Sequence, residues 1–245
     1  YIKNHNIEGI IMRILSVVGK KNSGKTSLTV RIIKELTNRN YKVASIKHSH
    51  HQMEMDHEGT DTYKHKQAGS KITIGIGTKS FFNINGAMPL ERLLFLIKLI
   101  DEPDFVVIEG FKNYNYPKIV TSKELVDDYC IKLVDAKNLS DDDVKSLVNI
   151  IENKSYDILP TLFTKDCGYT DSESIAKAII NGDLDYEYDR QADVTLSIDG
   201  KVIGLNEFVN NFLKETILGM LKSLKTEEYG VKDFNKIEIL INNKK

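Results

Sequence analysis

Residues 19–26 constrain this chain more than any other segment, because their sequence, GKKNSGKT, matches the pattern G-x-x-x-x-G-K-[ST]. An apolar run at residues 13–18 precedes the match, and Leu28, Ile32 and Leu36 follow it at helical spacing. This order predicts a strand, a glycine-rich loop and a helix, in which main-chain N–H groups and the positive end of the helix dipole face phosphate oxygens. The alternative is a strand-to-helix turn that binds no ligand.

The loop predicts a set of nucleotide-binding side chains and main-chain donors. We expect Lys25 to reach the β- and γ-phosphates and Thr26 to hold Mg²⁺ through its hydroxyl. The predicted nucleotide-binding residues of this segment are Gly19, Lys20, Lys21, Asn22, Ser23, Gly24, Lys25, Thr26 and Ser27.

Charge and composition argue against several classes of protein. The 245 residues include 34 basic and 35 acidic side chains, so no net field favours nucleic acid or an anionic membrane. The two cysteines have no C-x-x-C partner, which argues against a disulfide scaffold and a zinc knuckle. The most apolar segment, residues 93–100, is too short to span a bilayer. We therefore expect a cytoplasmic protein that binds neither nucleic acid nor membrane.

The chain divides into three predicted parts. Residues 1–11 carry Ile-Glu-Gly ahead of Met12, resemble an expression-vector remnant and are left out of the fold prediction. Residues 12–182 alternate strand and helix patterns, which predicts an α/β domain with a doubly wound, mostly parallel sheet flanked by helices. Residues 183–245 carry two short strands around an Asp-Gly turn and then an amphipathic helix, which predicts a small α+β module.

Several elements are predicted from short apolar patterns. Residues 158–163 and 237–241 are each predicted as a strand, and residues 72–84 as a hairpin. Ser140 followed by Asp143 predicts a capped helix that runs to about residue 153. The helix over residues 206–224 has a broad apolar face, which we expect to pack either against the rest of the chain or against a second copy.

One carboxylate stands at the end of the most apolar predicted strand. Residues 105–108 read Phe-Val-Val-Ile, and Glu109 follows them directly. Ligands of open α/β sheets bind at the carboxyl ends of the strands, so we predict that Glu109 supports the metal ion or polarises the attacking water. The alternative is a strand-end carboxylate whose hydrogen bonds are satisfied within the fold.

A histidine-rich segment follows the second predicted strand, and its role has more than one interpretation. In the first, His48 and His50 share a transition metal with Asp56. In the second, which we favour, the segment covers the phosphates: His48 binds a phosphate oxygen, and Asp56 or Asp61 orients Mg²⁺. The second is favoured because this strand is predicted to neighbour the strand before the phosphate loop. A solvated polar loop is the third interpretation.

The candidate for base recognition is less well defined. Thr164-Lys165-Asp166 follows the predicted strand at residues 158–163 and resembles the guanine-reading element [NT]-K-x-D, although the spacer residue is missing. Lys165 and Asp166 are therefore candidate nucleotide-binding residues, with an ordinary strand-end turn as the alternative.

Taken together, three motifs resemble the molybdopterin-guanine dinucleotide biosynthesis protein B (MobB) family. They are the phosphate loop, the segment from Ile46 to Gly69 with I-K-H-x-H-H and D-x-x-G-x-D, and V-I-E-G-F-K at residues 107–112 with Pro117-Lys118. The resemblance covers residues 12 to about 120, and the module at residues 183–245 is similar to an extension of archaeal-type members.

The resemblance implies a P-loop NTPase fold that binds GTP with Mg²⁺, hydrolyses GTP slowly and forms a homodimer. It implies an accessory role beside the nucleotidyltransferase that joins GMP to the molybdenum-bound pterin, with the pterin as a further candidate ligand. It also implies catalytic roles for Lys25, Asp56 and Glu109, and a metal site at Thr26, Asp56 and Glu109.

Two other classes of protein share the strand-loop-helix. A small-molecule kinase is one, but such enzymes generally use lid arginines, and this chain has five arginines that lie mostly within predicted strands or helices. A metal-delivery protein whose GTPase is coupled to the histidines at residues 48–51 is the other.

Overall fold

Five parallel strands form the central sheet of the computed structural model, which describes residues 12–49, 56–162, 168–185, 194–232 and 236–242. The strands are β1 Arg13–Val18, β2 Val43–Lys47, β3 Ile72–Ile76, β4 Ser80–Ile84, β5 Phe105–Glu109, β6 Lys118–Val120, β7 Cys130–Leu133, β8 Leu196–Ile198 and β9 Lys201–Ile203. The helices are α1 Lys25–Asn38, α2 Asp61–Gln67, α3 Leu90–Asp101, α4 Asp141–Lys154, α5 Ser172–Asn181 and α6 Glu207–Lys222.

The order of strands in the sheet is β2-β5-β1-β6-β7, with β1 at the centre. The prediction that β2 neighbours β1 is wrong, because β5 lies between them and pairs with both. Every pair in this sheet is parallel, with Val17 beside Glu109 on one side and Ile119 on the other. The loops that follow β1, β2, β5, β6 and β7 therefore leave the sheet at the same edge. This edge carries the candidate site.

Helices cover both faces of the sheet, because successive residues of a strand point to opposite sides. On β1, Leu15 and Val17 pack with the apolar faces of α1 and α4. Ile14 points the other way and packs with residues of α3 and α5. The predicted doubly wound, mostly parallel α/β fold is thus confirmed.

Two of the predicted helix ends have the predicted geometry. At α4 the Ser140 side chain accepts a hydrogen bond from the Asp143 main chain, and the Asp143 carboxylate accepts one from the main chain of Ser140. This reciprocal cap satisfies N–H groups that the first turn of a helix leaves unpaired. Helix α5 ends at Gly182, whose φ of 87° suits a residue without a side chain.

Two predicted strands are wrong. Residues Leu159–Thr161 form a short 3₁₀ helix, with Pro160 as its central residue. Proline has no N–H to donate to a sheet, and its fixed φ suits a tight helical turn. Residues 237–241 form no strand in the described part of the chain, since an alternating pattern needs a neighbouring strand to bond and none is placed there. Strand β7, in contrast, carries only Cys-Ile-Lys-Leu and was not predicted.

The segment after residue 183 packs partly on the sheet domain. Val202 of β9 is buried in the same core cluster as Met12 and Leu90, and Asn210 of α6 accepts a hydrogen bond from the main-chain N–H of Val194 (3.0 Å). The boundary between domains stays a prediction. The apolar side chains Phe208, Phe212 and Met220 of α6 are exposed, so the rest of the described chain does not bury the whole apolar face of this helix. Packing of that face against a second copy stays a prediction.

Within the described ranges, no helix has both the length and the apolar character needed to cross a membrane.

Candidate nucleotide-binding site

The loop between β1 and α1 is curled by two left-handed residues. Asn22 has φ of 62° and Gly24 has φ of 84°, and Gly24 is the residue that precedes the first turn of α1. Left-handed residues within a turn direct successive N–H groups into one concavity, where they bind anions. The first N–H groups of α1 are unpaired within the helix and add to these donors.

The two glycines of the motif allow close contact with neighbouring segments. A Cβ atom on Gly19 would lie 1.8 Å from Thr121 Oγ1, and one on Gly24 would lie 3.0 Å from Ala136 Cβ. Thr121 also shares a 2.6 Å hydrogen bond with Ser23 Oγ. The segments after β6 and β7 therefore hold the loop in place, and any side chain at Gly19 would displace it.

Lys25 lies over the loop that precedes it. Its ammonium donates a hydrogen bond to the carbonyl oxygen of Lys20. Burial lowers the pKa of Lys25, and the nearby charge of Lys47 acts in the same direction, whereas Glu109 opposes them. A phosphate oxygen is a stronger acceptor than a carbonyl, so it would replace Lys20 as the partner of this ammonium.

The side chains of Lys20 and Lys21 do not share the contact that Lys25 makes with the loop. The main-chain N–H of Lys20 donates to Ser122 Oγ (2.9 Å), and its side chain pairs with Glu124 (2.7 Å). Lys21 is exposed. Lys20 thus ties the loop to the segment after β6, in addition to any contact with phosphate.

Thr26 and Glu109, which come from α1 and β5, meet at the sheet edge. The Thr26 hydroxyl donates to Glu109 Oε1 at 2.8 Å, and Glu109 is only 6% exposed. Lys47, at the end of β2, forms an ion pair with the same carboxylate. A hydroxyl and a carboxylate oxygen side by side are the hard ligands that Mg²⁺ prefers. These residues therefore fit a magnesium ion, which one or two protein oxygens usually hold together with substrate phosphates.

A surface depression lies over the start of α1. Its volume is about 390 Å³, which falls within the range of small-molecule sites. It is lined by Asn22, Ser23, Gly24, Lys25, Thr26, Ser27 and Lys137. Six of the seven belong to the predicted nucleotide-binding segment, and the seventh comes from the loop after β7.

Asp56 is held by its own loop. Its Oδ1 atom accepts hydrogen bonds from the hydroxyls of Thr60 (2.8 Å) and Thr62 (3.1 Å) and from the main chain of His57 (3.0 Å). The Thr60 hydrogen bond is the main cause that lowers the pKa of Asp56, so the carboxylate is ionised at neutral pH. Asp61 is exposed and pairs with Lys64 (3.0 Å). Across the described ranges, no three His, Cys, Asp or Glu side chains are placed to hold a metal ion together.

His48 lies beside the end of β5. Its main-chain N–H donates to the carbonyl of Glu109 (2.9 Å), and its ring packs on Phe111 with centroids 4.1 Å apart. Gly110 and Phe111 both have positive φ, 112° and 54°, which turns the chain sharply after Glu109. His48 therefore neighbours the acidic group. His50, His51, Lys165 and Asp166 lie outside the described residues.

Comparisons with known proteins agree with one another. A family model described as "Molybdopterin guanine dinucleotide synthesis protein B", MobB, matches residues 14–140. A relative from Methanocaldococcus jannaschii, a putative molybdopterin-guanine dinucleotide biosynthesis adapter protein, is 34% identical over 227 residues, which cover 87% of this chain and 92% of the relative. The chain belongs to the MobB family.

Bacillus subtilis provides two further MobB comparisons. A probable molybdopterin-guanine dinucleotide biosynthesis adapter protein is 36% identical over 118 residues, which cover 46% of this chain and 67% of the relative. A crystal structure of MobB from this organism is 33% identical, covers 44% of this chain and 66% of its own, and has a TM-score of 0.39.

The candidate site includes residues that the sequence analysis did not identify. Lys47, Thr121 and Lys137 all contact or line the site. Lys47 is the last residue of β2, and the other two lie in the segments after β6 and β7. Each lies at the carboxyl end of a strand or shortly after it, and this position is the feature of the sequence that could have identified it. Without the strand order, however, the end of every predicted strand is an equal candidate for the site. Strand β7 itself was not predicted.

Proposed function

We propose that this chain is a GTP-binding adapter with a slow GTPase activity in the synthesis of molybdopterin guanine dinucleotide. The observation that carries the proposal is the meeting of Lys25, Thr26 and Glu109 around a curled loop that opens into a depression. Membership of the MobB family supports the pathway, because the relatives described above are adapter proteins of this synthesis.

In this proposal the protein groups bind and orient the triphosphate. Main-chain N–H groups of residues 22–27 donate to phosphate oxygens, and Lys25 turns from the Lys20 carbonyl to the β- and γ-phosphates. Thr26 and Glu109 hold Mg²⁺, which when bound neutralises charge on the phosphate oxygens. Lys47 already balances the buried charge of Glu109, and in this proposal its ammonium also lies beside the bound phosphates.

Asp56 is proposed as a further acidic group near the metal. Its hydrogen bonds with Thr60 and Thr62 favour the ionised carboxylate, which is the form that binds Mg²⁺ or its water ligands.

The arginines support an adapter over a kinase. Arg31 pairs with Asp141, and Arg39 pairs with Glu35 and Glu152 on the outer surface of the helices. Among the described residues, no arginine lines the depression. Arginines that stabilise the charge of the transition state raise phosphoryl-transfer rates by about 10³–10⁵, so their absence from the lining favours slow hydrolysis.

Titration calorimetry tests the nucleotide site. We expect Mg²⁺-GTP to bind the full chain, and Lys25→Ala to weaken binding by about 1.5 to 3 kcal/mol, or about 10- to 150-fold, because a charge-assisted contact is lost. The matched control is Lys34→Ala, which removes an exposed lysine of the same helix. The proposal fails if neither GTP nor ATP binds, or if Lys25→Ala binds like the parent chain.

We also propose a homodimer formed through the β3-β4 hairpin. Ile72, Ile74 and Ile76 share one face of the hairpin with Phe82 and Ile84 across the strand pair, and all five are exposed. An exposed apolar face of this kind marks an interaction surface, and within the described residues each strand of this two-stranded sheet pairs with the other strand alone.

Sedimentation velocity tests the dimer. We expect the parent chain to sediment as a dimer and Ile74→Lys or Phe82→Lys as a monomer, because a charge would be buried at the interface. The control is Val30→Lys, which alters an exposed apolar residue of α1 away from the hairpin. A monomeric parent chain, or variants that remain dimers, would contradict this interface.

The proposed protein partner is the nucleotidyltransferase that joins GMP to the molybdenum-bound pterin, with the pterin as a further candidate ligand. Family membership supports this proposal.

A further inference from the structure

The loop after β7 packs directly on the phosphate loop. A Cβ atom on Gly24 would lie 3.0 Å from Ala136 Cβ and 3.5 Å from Lys137 Cγ. Ala136 is buried, and the neighbouring Lys137 lines the same depression as Thr26 and Ser27. The depression is therefore bounded by two segments that are more than one hundred residues apart in sequence.

The strand order indicates which end of a bound nucleotide meets this loop. Glu109 and Thr26 mark the metal end of the site, and Glu109 belongs to β5, on one side of β1. Strands β6 and β7 lie on the other side of β1. Ligands of such sheets bind across the carboxyl ends of the strands, and Lys137 from the loop after β7 lines the same depression as Thr26. We therefore expect a triphosphate held at Lys25 and Thr26 to extend its nucleoside toward β7.

Asp135 lies two residues before Lys137, in the loop on that side. Its Oδ1 atom accepts a hydrogen bond from the Lys137 main chain (3.2 Å), and its Oδ2 atom accepts one from Asn138 Nδ2 (2.7 Å). Each oxygen thus receives one N–H donor from the exposed loop. Guanine carries two adjacent donors, N1–H and the N2 amino group, whereas adenine presents an acceptor beside a donor. A carboxylate that accepts two neighbouring donors favours guanine over adenine.

Lys137 supplies the second element of a base site. Its Cγ atom lies near the Gly24 backbone, so the apolar stem of its side chain forms a wall of the depression. An aromatic base can pack on such a stem, while the ammonium attracts the π face of the ring or reaches solvent.

We propose, on the basis of the nucleotide site proposed above, that the loop at residues 134–139 binds the base and that Asp135 and Lys137 select guanine nucleotides. Asp135 exchanges its contacts within the loop for the N1–H and N2 donors of guanine, and Lys137 covers the ring. This assignment replaces Lys165 and Asp166 as the residues that determine base preference.

Competition binding tests the assignment on the full chain with Mg²⁺. A fluorescent GTP analogue is displaced by GTP, ITP, XTP, ATP or inorganic tripolyphosphate. We expect GTP to bind about 10- to 100-fold more tightly than ITP, which lacks the N2 donor. Asp135→Asn should weaken GTP by a similar factor, leave tripolyphosphate unchanged and shift the preference toward XTP, whose C2 carbonyl accepts from the new amide. Lys137→Ala should weaken every nucleotide relative to tripolyphosphate.

Two control variants and the binding of tripolyphosphate distinguish a wrong base site from a wrong phosphate site. Asp142→Asn and Lys132→Ala remove exposed charges beside the loop and should leave the order of affinities unchanged. If GTP binds no better than tripolyphosphate, or if Asp135→Asn binds GTP like the parent chain, this base site is wrong although the phosphate site stands. If the parent chain binds neither GTP nor tripolyphosphate, both proposals fail. The comparison of GTP with ITP needs no variant, so a folding defect cannot obscure the result.

Discussion

Replacing Glu109 by alanine is expected to lower the single-turnover rate of GTP hydrolysis by about 100- to 10,000-fold, the range for loss of a positioned catalytic group. Glu109 is buried at the end of β5, accepts a hydrogen bond from Thr26 and pairs with Lys47. Alanine would leave Mg²⁺ without its protein carboxylate and place an unbalanced lysine beside the phosphates. Release of inorganic phosphate under single-turnover conditions measures the effect.

Two further variants separate charge from packing at this position. Glu109→Gln keeps the size of the side chain and an oxygen that accepts from Thr26, so its rate should fall nearly as far while the stability of the fold is retained. Glu124→Ala removes an exposed carboxylate that pairs with Lys20 and should leave the rate within a few-fold of the parent. A single-turnover rate of Glu109→Gln equal to that of the parent chain would show that the carboxylate has no part in the reaction.

The largest effect on stability is expected for Tyr156→Ala, which should lower the free energy of unfolding by about 3 to 5 kcal/mol. Tyr156 is fully buried, and its ring packs near that of Tyr116, with centroids 6.1 Å apart. Burial also raises its pKa well above the ordinary value. Alanine would leave a cavity between the sheet and α5 that this close-packed core cannot fill. Urea unfolding, followed by circular dichroism, measures the change.

The hydroxyl of Tyr156 can be tested separately from its ring. The hydroxyl donates to the carbonyl of Asn115 at 2.7 Å, so Tyr156→Phe removes one hydrogen bond and should cost about 1 kcal/mol. Tyr229→Ala is the exposed control and should change the free energy of unfolding by no more than about 0.5 kcal/mol. Equal losses for Tyr156→Ala and Tyr229→Ala would contradict the core described here.

The features that the sequence predicted well are those determined by local chemistry. The loop between β1 and α1 depends on glycine at fixed spacing, because a side chain at Gly19 would clash with Thr121, and a side chain at the left-handed Gly24 would crowd Ala136. Helix α4 was predicted from a cap whose two partners are three residues apart. The apolar run before Glu109 was enough to identify a buried strand.

The features that were missed or wrong depend on distant partners. Residues 237–241 have the alternating pattern of a strand, yet the described structure offers them no strand to pair with. Pro160 lies inside an apolar run whose pattern alone resembles a strand, and its missing N–H favours the 3₁₀ turn instead. Strand β7 has only four residues and gains its place from the edge of β6.

The sequence by itself determined a glycine-rich strand-loop-helix, a carboxylate at a strand end and a parallel α/β sheet, because glycine spacing, capping and apolar periodicity act between residues that are near in sequence. Only the tertiary structure decided that Lys47 pairs with Glu109 and that Lys137 lines the depression beside Thr26 and Ser27. These contacts depend on the order β2-β5-β1-β6-β7, which results from how the helices pack on the two faces of the sheet, and no local pattern encodes that order.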